Sequence, residues 1–273
     1  MPKDCAEDAA GVIFDAIAPM VAGRRGPLIL AIAGAQGSGK STLARALDTR
    51  FRADGRRSAA LSLDDFYLTK KERLRLAADI HPLFATRGVP GTHDISLAIN
   101  VLDAVRAGRA TRAPSFDKGA DDRRPDSHSV VIPADLDILI FEGWCLGAEP
   151  AAAADLVAPI NRLERTCDQD GTWRRAVNDA LAGACQDLFS RFDFLVFLCA
   201  PDFEIVRTWR LQQEAALAAE DRSAPALMSE SEVSDFIQYF ERITRAMLCS
   251  APGRADLTID LDRERRIAAV SRR

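Results

Sequence analysis

A glycine-rich segment near the start of the chain, residues 34–41, limits the possible folds more than any other segment does. It matches the pattern of a phosphate-binding P-loop, which is a glycine, any four residues, and then Gly-Lys-Ser. An apolar run over residues 28–33 has the length of a buried parallel strand, and residues 42–47 carry apolar side chains at helical spacing. The order of strand, loop and helix therefore predicts a nucleotide-binding α/β fold.

Each part of this loop has an expected role in holding a nucleoside triphosphate. Glycines let backbone N–H groups turn inward around phosphate oxygens, and the N-terminus of the following helix adds a partial positive charge. Lys40 is expected to reach the outer phosphates, and the Ser41 hydroxyl to ligate Mg²⁺. The residues expected to contact the nucleotide are Gly34, Gln36, Gly37, Ser38, Gly39, Lys40, Ser41 and Thr42.

Composition argues against several other classes of protein. The chain has 273 residues, of which 48% are hydrophobic, which suffices for one α/β domain over residues 1–273. Its net charge is −4 and it has no long basic run, so neither nucleic acid nor a membrane is an expected partner. The six scattered cysteines are typical of reduced thiols in a cytoplasmic protein. The sequence leaves the oligomeric state open and is compatible with a monomer.

Apolar runs separated by helical patterns predict a doubly wound parallel sheet of about five strands. The predicted strands are residues 28–33, 58–63, 137–143, 192–200 and 256–262. An amphipathic helix within residues 1–25 is expected to pack on the core and to end near Pro19. Residues 151–190 are expected to be largely helical, with a turn at residues 168–171.

Acidic side chains follow two of these strands, at the sheet edge where the P-loop is expected. We expect Asp64, after the second strand, to accept the proton of an acceptor hydroxyl, because a kinase needs a carboxylate there. Asp65 fits either a substrate contact or the N-cap of the next helix. Glu142, at the end of the third strand, is expected to help hold Mg²⁺ through water. The candidate Mg²⁺ ligands are Ser41, Glu142 and Asp64.

Two polar segments between the second and third predicted strands are candidates for substrate binding. Residues 87–94 are rich in glycine, proline and ionisable groups, which indicates a loop with particular backbone demands. Arg87 and His93 are suited to face a substrate anion. Alternatively, Asp94 or Thr92 caps the next helix, and both roles can hold together. Residues 108–133 carry mixed charges, a pattern typical of either a solvated surface or a binding surface.

Arginines cluster on the long helix predicted over residues 203–220. Arg207 and Arg210 lie on this helix, and Arg222 follows it. Arginines on a mobile helix can close over a phosphoryl group in transfer and stabilise its charge, although ordinary surface arginines give the same pattern.

The chain combines the P-loop with Ser-Leu-Asp-Asp-Phe-Tyr at residues 62–67 and Phe-Glu-Gly at residues 141–143. This combination resembles the phosphoribulokinase/uridine kinase branch of P-loop kinases, which phosphorylate hydroxyl groups of small metabolites.

Further motifs narrow this resemblance. They are Asp-Asp-Phe-Tyr-Leu-Thr at 64–69, Arg-Gly at 87–88, Gly-Thr-His-Asp at 91–94, Phe-Asp-Lys at 116–118, Phe-Glu-Gly-Trp at 141–144, Leu-Gly at 146–147 and Trp-Arg-Leu-Gln-Gln-Glu at 209–214. Together they resemble the plant- and fungal-type D-glycerate 3-kinase family and its bacterial relatives, from about residue 28 to about residue 240. The resemblance implies transfer of a phosphoryl group from ATP to D-glycerate, with Mg²⁺, giving 3-phosphoglycerate.

Position by position, the resemblance implies that Asp64 is the base, Glu142 the acid of the third strand and Arg210 a lid arginine. It implies an acceptor-binding insertion at residues 67–135 and a helical lid region at residues 201–245. The predicted catalytic side chains are Lys40, Asp64, Arg207 and Arg210. The residues expected around the acceptor are Asp65, Tyr67, Arg87, His93, Asp94, Lys118 and Arg123.

Two alternatives remain open on the sequence. The acceptor is alternatively another small hydroxylated metabolite, such as a nucleoside or a pantothenate-like compound. In a different class, the chain is a P-loop ATPase switch that acts on a protein partner, but it lacks the Asn-Lys-x-Asp guanine motif and the Ser-Gly-Gly-Gln segment. The joint presence of Lys40, Asp64 and Glu142 argues against an ATP-binding protein without catalysis, so the chain is expected to be an enzyme that phosphorylates an alcohol group.

Overall fold

The protein is built around a six-stranded sheet, in a computed structural model that describes residues 1–220 and 228–273. Arg222 therefore lies outside the described residues. The strands are β1 (Leu28–Gly34), β2 (Ser58–Ser62), β3 (Thr111–Ala113), β4 (Phe116–Asp117), β5 (Asp122–Arg123), β6 (Val130–Ile132), β7 (Ile138–Gly143), β8 (Phe194–Cys199), β9 (Leu257–Leu261) and β10 (Ile267–Arg272).

The main sheet has the order β10-β9-β8-β1-β7-β2. The last five of these strands run parallel, and β10 pairs antiparallel with β9 at the edge. The predicted doubly wound α/β sheet is confirmed, whereas β10 was not predicted, because its mostly exposed residues give the sequence no apolar strand signal. Two short ribbons, β3 with β6 and β4 with β5, lie outside this sheet.

Helices cover both faces of the sheet. They are α1 (Lys3–Ala22), α2 (Lys40–Ala53), α3 (Lys70–Asp79), α4 (Ile95–Arg106), α5 (Arg162–Cys167), α6 (Thr172–Ala180), α7 (Gln186–Phe189), α8 (Glu204–Glu220), α9 (Glu230–Phe236) and α10 (Gln238–Ser250). No helix within the two described ranges combines the length and apolar character needed to cross a membrane.

Alternation along the central strand explains this layering. Leu30 and Ile32 of β1 pack in one core with α1, α2 and α8, while Ile29 and Ala31 pack in a second core with α4, α7 and α10. Successive side chains of a strand point to opposite faces, so a strand that is apolar throughout is covered on both sides. The carboxyl ends of β1, β7 and β2 consequently form one edge, where ligands bind in sheets of this kind.

Two predicted helix boundaries were wrong, and proline explains both. Helix α1 continues through Pro19 to Ala22, because a proline in the last turn removes only one hydrogen bond of the ladder. The predicted helical region at residues 151–190 contains only a 3₁₀ turn before α5, since Pro159 prevents an α-helix from running through that point. Asn161 caps α5, accepting a hydrogen bond from the Glu164 N–H at 3.0 Å.

Candidate active site

The P-loop connects β1 to α2 and packs directly against α8. Gly37 has a φ of +73° in this loop. A Cβ atom at this position would lie only 2.8 Å from Cβ of Trp209, so no larger residue fits. The loop and the helix that carries Arg210 are therefore in backbone contact.

Lys40 and Ser41 stand at the start of α2, beside the end of β7. The Lys40 ammonium is buried and donates a hydrogen bond to the Ala35 carbonyl at 3.0 Å. Its burial lowers the pKa of Lys40, against the opposing charges of Glu142 and Asp64. The Ser41 hydroxyl donates to Oε1 of Glu142 at 2.6 Å. The structure thus brings together two of the three side chains that were predicted to lie beside Mg²⁺.

This arrangement suits a bound triphosphate and a divalent cation. The hydroxyl of Ser38 is buried, and no group in residues 1–220 or 228–273 forms a hydrogen bond with it. A buried donor without a partner is costly unless a ligand satisfies it, and a phosphate oxygen would do so here. Oxygen ligands such as the hydroxyl of Ser41 and the carboxylate of Glu142 are those that Mg²⁺ prefers.

Asp64 lies in the 3₁₀ turn that follows β2, with both carboxylate oxygens hydrogen-bonded. Oδ1 accepts from the Tyr67 hydroxyl at 2.8 Å, and Oδ2 accepts from the Lys118 ammonium at 2.7 Å. Burial raises the pKa of Asp64, but the charge and hydrogen bond of Lys118, with the hydrogen bond of Tyr67, outweigh it and hold that pKa below its ordinary value. Asp64 is therefore an ionised carboxylate at neutral pH.

Asp65 holds the backbone of the β4–β5 hairpin. Its Oδ1 accepts a hydrogen bond from the Phe116 N–H at 3.2 Å. The alternative that Asp65 caps the next helix is wrong, because Thr69 caps α3 in a reciprocal arrangement with Glu72. Asp65 thus fixes the hairpin that presents Lys118 to Asp64.

His93 lies beside Asp64 and stacks on Tyr67. The two ring centroids are 4.6 Å apart, with 30° between the ring planes. Burial lowers the pKa of His93 to about 4, against the charge of Asp64, so the imidazole is neutral at pH 7. Its Nε2 is buried without a hydrogen-bond partner among the described residues, which makes it suited to contact a ligand.

Asp94 and Arg123 lie next to Tyr67 and contact each other. Asp94 caps α4, accepting a hydrogen bond from the Leu97 N–H at 3.0 Å, so the capping alternative is correct for this residue. The Arg123 guanidinium lies 3.4 Å from Asp94 and donates to the Tyr67 carbonyl at 2.9 Å. Both side chains therefore have structural partners near the predicted acceptor site.

Arg87 is held by an aspartate that the sequence analysis did not single out. Its guanidinium pairs with Asp121 and lies 5.5 Å from the ring centroid of Phe116. Asp121 also pairs with Arg73 at 2.9 Å, and Arg73 donates to the Ala85 carbonyl at 2.6 Å. Arg73 is consequently only 1% exposed, although it belongs to the strongly charged helix α3.

The two arginines of α8 have different surroundings. Arg210 pairs with Glu214 and lies 5.9 Å from the Phe236 ring. Burial lowers the pKa of Arg210, and the charges of Arg87 and Asp64 also act on it. Arg207 instead contacts α9, donating to the Ser234 hydroxyl at 2.8 Å and pairing with Glu230. Arg210 is therefore within the influence of the charges of Asp64 and Arg87, whereas Arg207 is held on α9.

A tryptophan behind the site positions the loop that carries Arg87. The indole of Trp144 donates a hydrogen bond to the Gly88 carbonyl at 2.8 Å. Gly88 has a φ of +131°, and a Cβ there would lie 2.5 Å from the Phe240 ring. The Glu-Gly-Trp and Arg-Gly motifs noted in the sequence are therefore in direct contact.

Arg265 contacts the P-loop and was missed by the sequence analysis, because the β9–β10 hairpin was not predicted. Its Nε donates to the Gly37 carbonyl at 2.7 Å, and an Nη donates to the Trp209 carbonyl at 3.3 Å. The guanidinium also lies 5.0 Å from the Trp209 ring centroid. Arg265 therefore joins the P-loop to α8.

We expect Arg265→Ala to raise the KM for ATP by about tenfold, the effect of losing hydrogen bonds that fix the loop. Steady-state kinetics with varied ATP would measure this change. Arg266→Ala is the matched control, because Arg266 is the exposed neighbour on the same turn. An unchanged KM in the Arg265 variant would show that the contact does not support nucleotide binding.

Comparison with known proteins agrees with this arrangement. The phosphoribulokinase / uridine kinase family model matches residues 29–150. The chain is 39% identical over 225 residues to the uncharacterized kinase mug58 of Schizosaccharomyces pombe. This alignment covers 78% of each protein. It is 32% identical over 258 residues to the chloroplastic D-glycerate 3-kinase of Arabidopsis thaliana, covering 88% of this chain but 53% of that protein.

A solved structure shares the fold over nearly the whole chain. The D-glycerate 3-kinase from Cryptococcus neoformans aligns with a TM-score of 0.80 at 24% sequence identity. The alignment covers 98% of this chain and 99% of that one. The fold therefore includes the regions on either side of the part that the family model matches.

Proposed function

The chain belongs to the phosphoribulokinase/uridine kinase family of P-loop kinases, in the group that contains the plant and fungal D-glycerate 3-kinases, and we propose that it phosphorylates D-glycerate to 3-phosphoglycerate. It is an ATP-dependent kinase of a small molecule. The observation that carries the choice of acceptor is a group of cations beside Asp64. Lys118 pairs with Asp64 at 2.7 Å, a guanidinium nitrogen of Arg87 lies 3.4 Å from the Lys118 carbonyl, and the charges of Arg87 and Asp64 both act on Arg210. Such groups suit an acceptor that carries its own carboxylate.

The P-loop would hold the phosphates of ATP through its backbone N–H groups and the Ser38 hydroxyl. Lys40 would move from the Ala35 carbonyl to the outer phosphates and stabilise charge that develops there. Ser41 and Glu142 would hold Mg²⁺, which supplies positive charge at the phosphate oxygens. Both carboxylate oxygens of Asp64 accept hydrogen bonds from Tyr67 and Lys118, so we assign Asp64 to the proton and not to the metal.

Phosphoryl transfer needs a group that accepts the proton of the acceptor hydroxyl and a positive charge that stabilises the phosphoryl group. In the proposed mechanism the acceptor hydroxyl gives its proton to Asp64 as its oxygen bonds to the γ-phosphorus, and ADP leaves. Arg210 would stabilise the equatorial oxygens of the phosphoryl group. Arg207 would join it when α8 and α9 close over the site as a lid.

Residues 67–135 would supply the acceptor site. We propose that Arg87 and Lys118 bind the glycerate carboxylate, while Tyr67 and the neutral imidazole of His93 contact its hydroxyl groups. The remaining members of the predicted set would shape the site from behind; they are Asp65, Asp94 and Arg123.

A panel of acceptors tests this proposal. With ADP release as the readout, we expect kcat/KM for D-glycerate to exceed that for pantothenate or uridine by about 10²-fold or more, as in sites built for specific polar groups. Higher activity with another acceptor would overturn the choice of glycerate and leave the kinase assignment in place. ATP hydrolysis that needs a protein partner and no acceptor would favour a switch instead.

A further inference from the structure

The two donors that bind Asp64 differ in how firmly they are held. Tyr67 is 5% exposed, stacks on His93 and meets Phe116 edge-on with ring centroids 5.2 Å apart. The Lys118 side chain, in contrast, is 62% exposed. Of the two hydrogen bonds to Asp64, only the one from Lys118 can therefore be released without disturbing the core.

The backbone around Lys118 is held by hydrogen bonds, whereas its side chain is exposed. Oδ1 of Asp117 accepts hydrogen bonds from the N–H groups of Gly119 and Ala120, each at 3.0 Å. Asp65 holds Phe116 at the other side of the turn. Because the flexible four-carbon stem of a lysine carries its ammonium, Lys118 can change partner while the hairpin stays in place.

An anion that replaced Asp64 as the partner of Lys118 would lie near a second cation, Arg87. A guanidinium nitrogen of Arg87 lies 3.4 Å from the Lys118 carbonyl, and the positive charge of Arg87 acts on the Lys118 ammonium. An anion brought next to Asp64 would therefore meet two positive charges. Without that anion, Asp64 is the partner of Lys118 and Asp121 is the partner of Arg87.

We propose that Lys118 masks the carboxylate of Asp64 and that the carboxylate of the acceptor draws the ammonium away. The inference rests on the proposed function, in which Asp64 is the base and the acceptor is an acid. The exchange swaps one ion pair for another and breaks no covalent bond. Oδ2 of Asp64 then becomes free to accept the proton of the acceptor hydroxyl, while Lys118 remains protonated.

This exchange restricts the substrate class to hydroxy acids whose carboxylate lies close to the reacting hydroxyl. An uncharged polyol would leave Lys118 on Asp64 and would find the base occupied. The enzyme would therefore discriminate between substrates in kcat as well as in binding affinity. A lysine that only binds the carboxylate would affect binding affinity alone.

The test compares D-glycerate with glycerol, in which a hydroxymethyl group replaces the carboxylate. In Lys118→Met we expect kcat/KM for glycerate to fall by about 10- to 100-fold, the effect of losing a charged hydrogen bond. We expect kcat/KM for glycerol to rise by roughly three- to fivefold, the upper range for releasing an exposed ion pair. Lys71→Met, an exposed lysine on α3, is the matched control and should change neither value.

The kcat/KM of Lys118→Met for glycerol decides whether Lys118 masks Asp64, only binds the carboxylate or acts on the phosphoryl group. If its kcat/KM stays unchanged, Lys118 only binds the carboxylate, and if it falls with that of glycerate, Lys118 acts on the phosphoryl group. Either result overturns the mask.

Binding without turnover gives an independent measurement. In Asp64→Asn the Lys118 ammonium loses its partner, so calorimetry should show D-glycerate binding roughly three- to fivefold more tightly than in the unaltered protein. Weaker or equal binding would contradict the mask. If the unaltered protein phosphorylates another acid instead of glycerate, the same comparison is made with that acid and its alcohol, so that failure of the glycerate assignment is seen separately.

Discussion

Asp64→Asn should lower kcat with D-glycerate by about 10³-fold, within the range expected for loss of a general base. The amide can still accept the hydrogen bond from the Tyr67 hydroxyl, so the turn after β2 should keep its shape. It cannot take the proton of the acceptor hydroxyl, however, and it carries no negative charge. The affinity for ATP, measured by calorimetry, should change by no more than about twofold, because Asp64 is not a P-loop residue.

The matched comparison for this variant is Asp65→Asn. Asp65 accepts a hydrogen bond from the Phe116 N–H, and an amide oxygen can accept the same bond. Its kcat should fall by less than about tenfold, the effect of weakening one charged hydrogen bond. If Asp64→Asn turns over normally, Asp64 is not the base. If kcat falls equally in both variants, the effect comes from a change in the position of the β4–β5 hairpin.

Lys40→Met should lower kcat by about 10²- to 10³-fold, the cost of removing one fixed charge from a developing anion. Lys40 is buried and its ammonium contacts the Ala35 carbonyl, so methionine fills the same space without the charge. The midpoint of thermal unfolding should stay the same or rise, because burial opposes the charged form of Lys40. Single-turnover kinetics with saturating ATP would measure the chemical step. A variant that keeps more than about a tenth of the kcat would exclude the proposed role of Lys40.

The sequence alone was sufficient for the parts of the fold that follow a local pattern. The apolar run before the P-loop predicted β1, and an apolar run that ends in an acid predicted β7 and Glu142. Because parallel strands bring their carboxyl ends to one edge, these patterns also predicted that Glu142 lies at the same edge as Ser41. Their hydrogen bond of 2.6 Å confirms that expectation.

The parts that the sequence did not predict depend on contacts between distant residues. Arg73 reads as a surface residue of a charged helix, and only the Ala85 carbonyl and Asp121 explain its burial. Lys118 and Asp64 are 54 residues apart, and no local periodicity joins them. Arg265 reaches the P-loop through a hairpin whose outer strand is mostly exposed.

The proposed activity is tested most directly by ³¹P NMR of a reaction that contains the protein, D-glycerate and Mg²⁺ with ATP. The proposed function predicts that the γ-phosphate signal of ATP disappears while signals of ADP and 3-phosphoglycerate appear together. If ATP binds but D-glycerate is recovered unchanged, or if the phosphate is found on a different hydroxyl group, the proposed reaction is contradicted.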